Sequence, residues 1–205
     1  MIAGVDTTPA DPYLGVVTGF QPAGRAPAPA PLDLLQDFVN TEIPEWAQDD
    51  LATPAALSVW LAERGLLDPR DGPASADAFL RARSLRSCLR SLALANTTGI
   101  PPDADATAGV AELGPLRFAL AVGDDGAPTI APAGEGVDRA LAMLAAIAVA
   151  SAQAGTWSRF KACRKDSCGW IFYDQSRNRS SNWCSMTICG NRSKTAGYRR
   201  RKATA

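Results

Sequence analysis

Residues 163–201 read CRKDSCGWIFYDQSRNRSSNWCSMTICGNRSKTAGYRRR. Four of the chain's five cysteines fall here, as Cys163 with Cys168 and Cys184 with Cys189. Each pair encloses four residues, and fifteen residues separate the pairs. Two short pairs flanking a span able to hold a hairpin make a tetrahedral, all-thiolate metal site, and zinc is the ion best served by four such ligands. This spacing favours one structural zinc over disulfides, redox thiols or iron–sulfur ligation. Four cysteines close the coordination shell, which removes the open position that catalytic zinc needs. A unit of this size has little core of its own, so metal binding would supply on the order of 10 kcal/mol or more of folding free energy. Chelation is therefore expected to unfold residues 163–202 and leave the amino-terminal body helical.

Around the ligands, Trp170, Phe172 and Tyr173 suit a short strand and a small core, and the polar NRSSN at 178–182 suits a turn. The segment from Ser185 onward reads as a helix with Cys189 near its start, where helix polarity favours a thiolate. A knuckle, a hairpin and a helix start would together form a treble-clef-like unit.

Charge divides the chain in two. The formal net charge is zero. Residues 156–205, however, carry twelve Lys or Arg against Asp166 and Asp174 alone, a balance of +10, which leaves −10 on the first 155 residues. Such a split marks a polyanion-binding end on a body with another task. Arg192, Lys194, Arg199, Arg200, Arg201 and Lys202 crowd the end of the chain, and Arg177 and Arg179 lie in the preceding turn. Arginine's planar fork suits phosphate and guanine edges. Asn191 is a candidate for adenine, against the competing role of a local cap. These nine residues form the candidate DNA-binding set.

There are no histidines, which excludes a Ser-His-Asp triad, a Cys-His dyad and His-ligated metal. No nucleophile motif, phosphate loop or carboxylate cluster stands in for them, so an enzyme is not expected. The start of the chain lacks a basic n-region, and the longest apolar run, residues 140–150, is shorter than the roughly 20 residues of a bilayer span. A cytoplasmic protein with no membrane partner is the expectation.

The first thirty residues, rich in Ala, Pro and Gly, read as an extended leader outside the core. Regular structure is expected from near Leu32, where Leu34, Leu35, Phe38 and Val39 recur at helical spacing. Thr53-Pro54 opens a second helix and Gly65 stops it, with Leu57, Trp60 and Leu61 facing a core. A third helix, from about Ser75 to Asn96, carries the stripe Ala78, Ala82, Leu85, Leu89 and Leu92. Cys88 lies on that face and reads as a small buried hydrophobe. Arg83, Arg86 and Arg90 read as a solvated face. Residues 97–115 read as a loop, residues 116–133 as a hairpin, and residues 134 to about 162 as one long helix running into Cys163. Asn40 and Thr41, which close the first helix, are a weak candidate for a ligand pocket, with helix capping as the competing role.

The cysteine-rich stretch resembles the CGNR zinc finger, whose motif stands here as Cys189-Gly190-Asn191-Arg192. The likeness includes both cysteine pairs, Phe172, Asp174, Ser176, Trp183-Cys184-Ser185-Met186 and Lys194. Upstream, DFVNTEIP at 37–44 and DDLATPAALSVWLAERGLL at 49–67 are similar to the ABATE domain that usually precedes this finger. Ser180, Ser181 and Asn182 stand where that finger commonly has arginines, which lowers the positive charge of the hairpin side. The resemblance implies a stress-induced transcription regulator. The fold expected is mainly α with a small β-hairpin: a leader (1–30), a helical domain (31–155) and a zinc finger with a basic tail (156–205). The expected partner is double-stranded DNA, with RNA polymerase or another transcription protein, or a second copy in a homodimer, as partners of the helical domain. The alternative is a zinc-stabilised RNA- or protein-binding module, in which Trp170 to Tyr173 stack on unpaired bases.

Overall fold

The computed structural model describes residues 20–102, 104–191 and 195. Five α-helices carry the fold: α1 (Leu32–Asn40), α2 (Pro54–Glu63), α3 (Ala76–Thr98), α4 (Ala104–Glu112) and α5 (Gly136–Gln153). Three antiparallel two-stranded ribbons join them: β1 (Glu42–Ile43) with β2 (Gln48–Asp49), β3 (Phe118–Val122) with β4 (Pro128–Pro132), and β5 (Phe160–Ala162) with β6 (Ile171–Tyr173). The architecture is mainly α with small hairpins, as expected.

The helix signals act through identifiable bonds. Thr53 accepts the amide of Ala56 (3.1 Å) ahead of Pro54, and Gly65 leaves α2 at a φ of +68°. Ser75 accepts the amide of Ala78 (3.1 Å) to open α3, and Gly99 closes it at +72°. Leu57, Trp60 and Leu61 of α2, and Ala78, Ala82, Leu85 and Leu89 of α3, lie in one core with α1 and α5. Leu92 is only half-buried, and Ala93 takes the core position at that level.

Four expectations need correction. The stretch 97–115 is not all loop, because residues 104–112 form α4 beside α3. Its Gly-, Pro- and Asp-rich flanks hid a short alanine-rich segment of high helix propensity. The helix expected to reach residue 162 ends at Gln153. Thr156 N–H bonds back to Ser151 O (2.9 Å) and Gly155 N–H to Ala152 O (3.1 Å), with Gly155 left-handed at +69°. That is a Schellman stop, and the chain re-enters the core as β5. The leader is packed over its described part. Phe20 meets Trp170 edge-on, and Gln21 and Ala28 are buried. A short 3-10 turn at Pro22–Gly24 bends this strap, and its few anchoring side chains bind it without periodicity.

The arginines of α3 do not form a solvated face either. Arg86 is 1 % exposed. It donates to both oxygens of Asp49 (2.6 and 2.8 Å) and to Thr41 Oγ1 (3.0 Å). Arg90 reaches the Glu42 carboxylate and the carbonyls of Val39 and Glu42. Only Arg83 is exposed. Acidic residues of the β1–β2 ribbon, distant in sequence, satisfy what a helical wheel counts as surface charge. By length and composition α5 passes as a membrane span, yet it packs as a core helix, with Val137, Ala140, Leu141, Leu144 and Ile147 buried.

Candidate metal centre and its basic surroundings

The four cysteines converge from three local structures. Cys163 and Cys168 lie in the turn between β5 and β6, where Cys163 N–H donates to Trp170 O (2.8 Å) and Cys168 N–H to Lys165 O (2.8 Å). Cys184 follows Trp183 in an extended loop. Cys189 sits in a π-helical turn, Met186–Gly190, capped by Ser185, whose hydroxyl accepts the amide of Ile188 (3.2 Å). The four Sγ atoms lie within 4.8 Å of one another, and Cys184 Sγ is 3.8 Å from Cys168 and 3.6 Å from Cys189. Four thiolates at about 2.3 Å from a tetrahedral zinc stand close to that far apart, so the residues fit one structural zinc.

Chemistry agrees with geometry. Hydrogen bonds from Cys168 and Cys184 hold the Cys163 thiol down, whereas Cys168 and Cys184 are pushed up by their bonds to Cys163. Burial and the nearby Cys163 push Cys189 up as well. Four thiolates this close together repel one another, and a divalent ion bound by all four would offset that charge. Cys88 is elsewhere, buried on α3, and burial pushes its thiol up. That is the behaviour of a packed side chain, not of a reactive one.

Gly190 explains one letter of the motif. A Cβ there would lie 2.8 Å from Met186 Sδ and 3.3 Å from Trp183 Cδ1, so glycine lets the capped turn close on the tryptophan. Ile43, Trp170, Phe172 and the four cysteines form the small core around the site. Trp170, Phe172 and Tyr173 are 4, 0 and 8 % exposed, so the aromatic stretch is core and not a stacking platform.

Beneath the NRSSN turn lies a buried ion pair that the sequence did not single out. Lys161 Nζ donates to Asp174 Oδ2 (2.9 Å) and also to the carbonyls of Arg179 and Ser181. Asp174 further accepts the amides of Ser176 (3.0 Å) and Ser181 (2.9 Å) and the Ser181 hydroxyl (2.9 Å). Burial alone would raise the Asp174 pKa, but the bonds from Ser176, Lys161 and Ser181 outweigh it and hold the carboxylate well below its usual range. The pair fixes the turn that carries Arg177 and Arg179. Both arginines are exposed; Arg179 adopts a φ of +50° and its guanidinium reaches Ser158 Oγ (3.2 Å). Asn191 is exposed, with its amide 3.4 Å from Thr187 O. Arg192, Lys194, Arg199, Arg200, Arg201 and Lys202 lie outside the described residues. Part of the positive charge is already committed: Lys161 to Asp174, Lys165 to Glu45, and Arg159 to the carbonyls of Asp174 and Ser176.

Asn40 and Thr41 have inward work. Asn40 Oδ1 accepts the Ile171 amide (2.7 Å) and its Nδ2 donates to the Ile171 carbonyl (2.9 Å), so the side chain pairs with the edge of β6 as a neighbouring strand would. Gln36 adds a bond to the same carbonyl (3.1 Å), and Thr41 is engaged with Phe38 O and Arg86. A groove of about 690 Å³ lies elsewhere, between α3 and α4, lined by Asp77, Arg81, Ser84, Cys88 and Glu112 among others.

Comparison with known families agrees with this anatomy. The ABATE model, described as "Putative stress-induced transcription regulator", matches residues 32–155, and the CGNR zinc finger model matches residues 159–202. The chain belongs to the ABATE family. No curated protein matches it. In this ABATE-family chain the two matched regions share one core, because Phe160, Ala162, Ile171 and Tyr173 pack among the helices. Asn96 donates to the carbonyls of Trp157 and Phe160 (both 2.9 Å) and Thr97 to that of Ala162 (2.7 Å), which fastens β5 to α3.

Proposed function

We propose that this transcription-regulator family member binds double-stranded DNA through its zinc-held carboxyl end. The observation that carries the reading is the capped turn at Cys189, which leads through Asn191 straight into the densest basic run of the sequence. Zinc acts as a folding staple, and the phosphate contacts belong to Arg177, Arg179, Arg192, Lys194, Arg199, Arg200, Arg201 and Lys202, with Asn191 beside them. Residues 31–155 then form the part that senses, dimerises or touches RNA polymerase or another transcription protein, residues 156–205 form the reader, and the protein works in the cytoplasm. Burial of the Trp170–Tyr173 aromatics counts against the alternative of stacking on single-stranded RNA.

The test is duplex binding by the full zinc-loaded chain. With about five phosphates neutralised, affinity should fall roughly 100- to 1000-fold between 50 and 200 mM salt. Arg192→Ala with Arg199→Ala should weaken binding on all sequences alike and empty the sites mapped across the genome. A flat salt response, or unchanged occupancy in the double variant, would remove the finger from DNA recognition.

A further inference from the structure

The β3–β4 ribbon stands apart from the rest of the fold in one respect: its apolar face is open. Phe118, Leu120 and Val122 are 40, 81 and 76 % exposed, and Ile130, across from Leu120, is 56 % exposed. The register pairs Phe118 with Pro132, Leu120 with Ile130 and Val122 with Pro128, so all six side chains share one face. No residue from 118 to 122 or from 128 to 132 is charged.

The two edges of this ribbon are unequal. Arg117 bonds Ala133 and Gly123 bonds Ala127 through the backbone, which sets the odd-numbered residues of β3 as the ladder-bonded ones. The amides and carbonyls of Phe118, Leu120 and Val122 therefore point outward. On β4 the outward positions are 128, 130 and 132, and two of them are proline, so that edge has lost two of three donors. Among the described residues, no bond from elsewhere in the chain reaches the outward groups of β3. Proline blunts the β4 edge against pairing, and the β3 edge is left able to pair.

The ends of β3 say with what. Arg117 precedes it and Asp124 and Asp125 follow it, all exposed. If β3 pairs antiparallel with a copy of itself about a two-fold axis through Leu120, residue 118 faces 122 of the other copy. Arg117 then faces Gly123 of the other copy, next to that copy's acidic Asp124–Asp125 turn, twice over. We propose that two copies of this chain associate through β3, forming a four-stranded antiparallel sheet in the order β4-β3-β3-β4 with one continuous apolar face. In this chain β4 packs against α5, and pairing through β3 extends that supported ribbon to four strands. The contact is isologous and closes at two copies.

This proposal holds or fails without nucleic acid. Sedimentation equilibrium of the full, zinc-loaded chain should show a dimer. Leu120→Lys puts two like charges on the axis and should raise the dimer dissociation constant by about 100-fold or more. Helicity and zinc content should stay as in the parent, because Leu120 is exposed. Arg117→Asp and Asp124→Arg should each weaken the dimer, and the double exchange should restore it. A parent chain monomeric at tens of micromolar overturns the proposal, as does a monomer that takes up another protein's strand. A dimer indifferent to Leu120→Lys, or one the double exchange fails to rescue, overturns it equally.

Discussion

Asp174 illustrates how one carboxylate can do a job that its neighbours in sequence conceal. It accepts four hydrogen bonds, from one lysine and two serines, and it is 0 % exposed. Asp174→Asn leaves Lys161 buried without a counter-charge and should cost about 3–5 kcal/mol in denaturant unfolding. The same residue sets a pH response. Its folded pKa lies below the unfolded value of about 3.9, so its contribution is present above that pH and is lost as pH falls toward the folded value. Stability of the parent should therefore drop more steeply below about pH 4 than that of Asp174→Asn; equal slopes would show that the carboxylate is not the group responsible. Arg25 is a second such residue. Its guanidinium donates to the carbonyls of Cys184 (3.1 Å), Tyr173 (3.3 Å) and Trp183 (3.3 Å) and lies 4.6 Å from the Phe172 ring centroid. Arg25→Ala should lower the unfolding free energy by about 1–3 kcal/mol and speed zinc loss to a chelator. A stability and release rate equal to the parent's would show that the leader strap is dispensable.

At the scale of elements, the β5–β6 hairpin belongs to two structures at once. Its turn carries two zinc ligands, and its strands sit in the helical core, held by Asn40, Asn96 and Thr97. Zinc removal should then not unfold everything after residue 163, as the spacing of the cysteines by itself implies. Hydrogen exchange on chelated protein should show fast amides at Cys163, Cys168 and Cys189, whose bonds depend on the knuckle and the capped turn. The Ile171 amide should stay protected by Asn40. Loss of protection at Ile171 together with Cys189 would mean that the hairpin folds only with its metal. Much of this was legible in advance, including the four ligands, the caps of α2, the stripe of α3 and the β3–β4 hairpin. Each rests on local chemistry, namely a spacing, a capping hydroxyl or an alternation. The end of α5 was missed because its stop is a backbone motif around Gly155, and the apolar run gave no warning of it.

For the whole molecule, the matched regions 32–155 and 159–202 meet along α1, α3, β5 and β6 in one core. A fragment ending at residue 155 would expose the surfaces of α1 and α3 that contact β6 and β5. It should lose cooperative thermal unfolding or aggregate, while residues 20–205 melt in a single transition. A fragment with a melting curve as sharp as the full chain's would show two independent folding units. The charge split of the sequence is partly spent at this scale too: Lys165 pairs with Glu45 of the helical body, while Lys161 and Arg159 are engaged within the carboxyl end itself.

What the sequence determined by itself is what short-range chemistry dictates: a closed four-thiolate site, mainly helical segments with their caps, and a basic end. Tertiary structure alone decided which polar residues are structural. Arg86, Arg90 and Asn40 read as surface or capping residues because their partners lie up to 131 positions away, and the Lys161–Asp174 pair gave no local signal at all. A buried polar group is tolerated only where its hydrogen bonds are met, and no pattern within one helix or strand reveals where that partner stands.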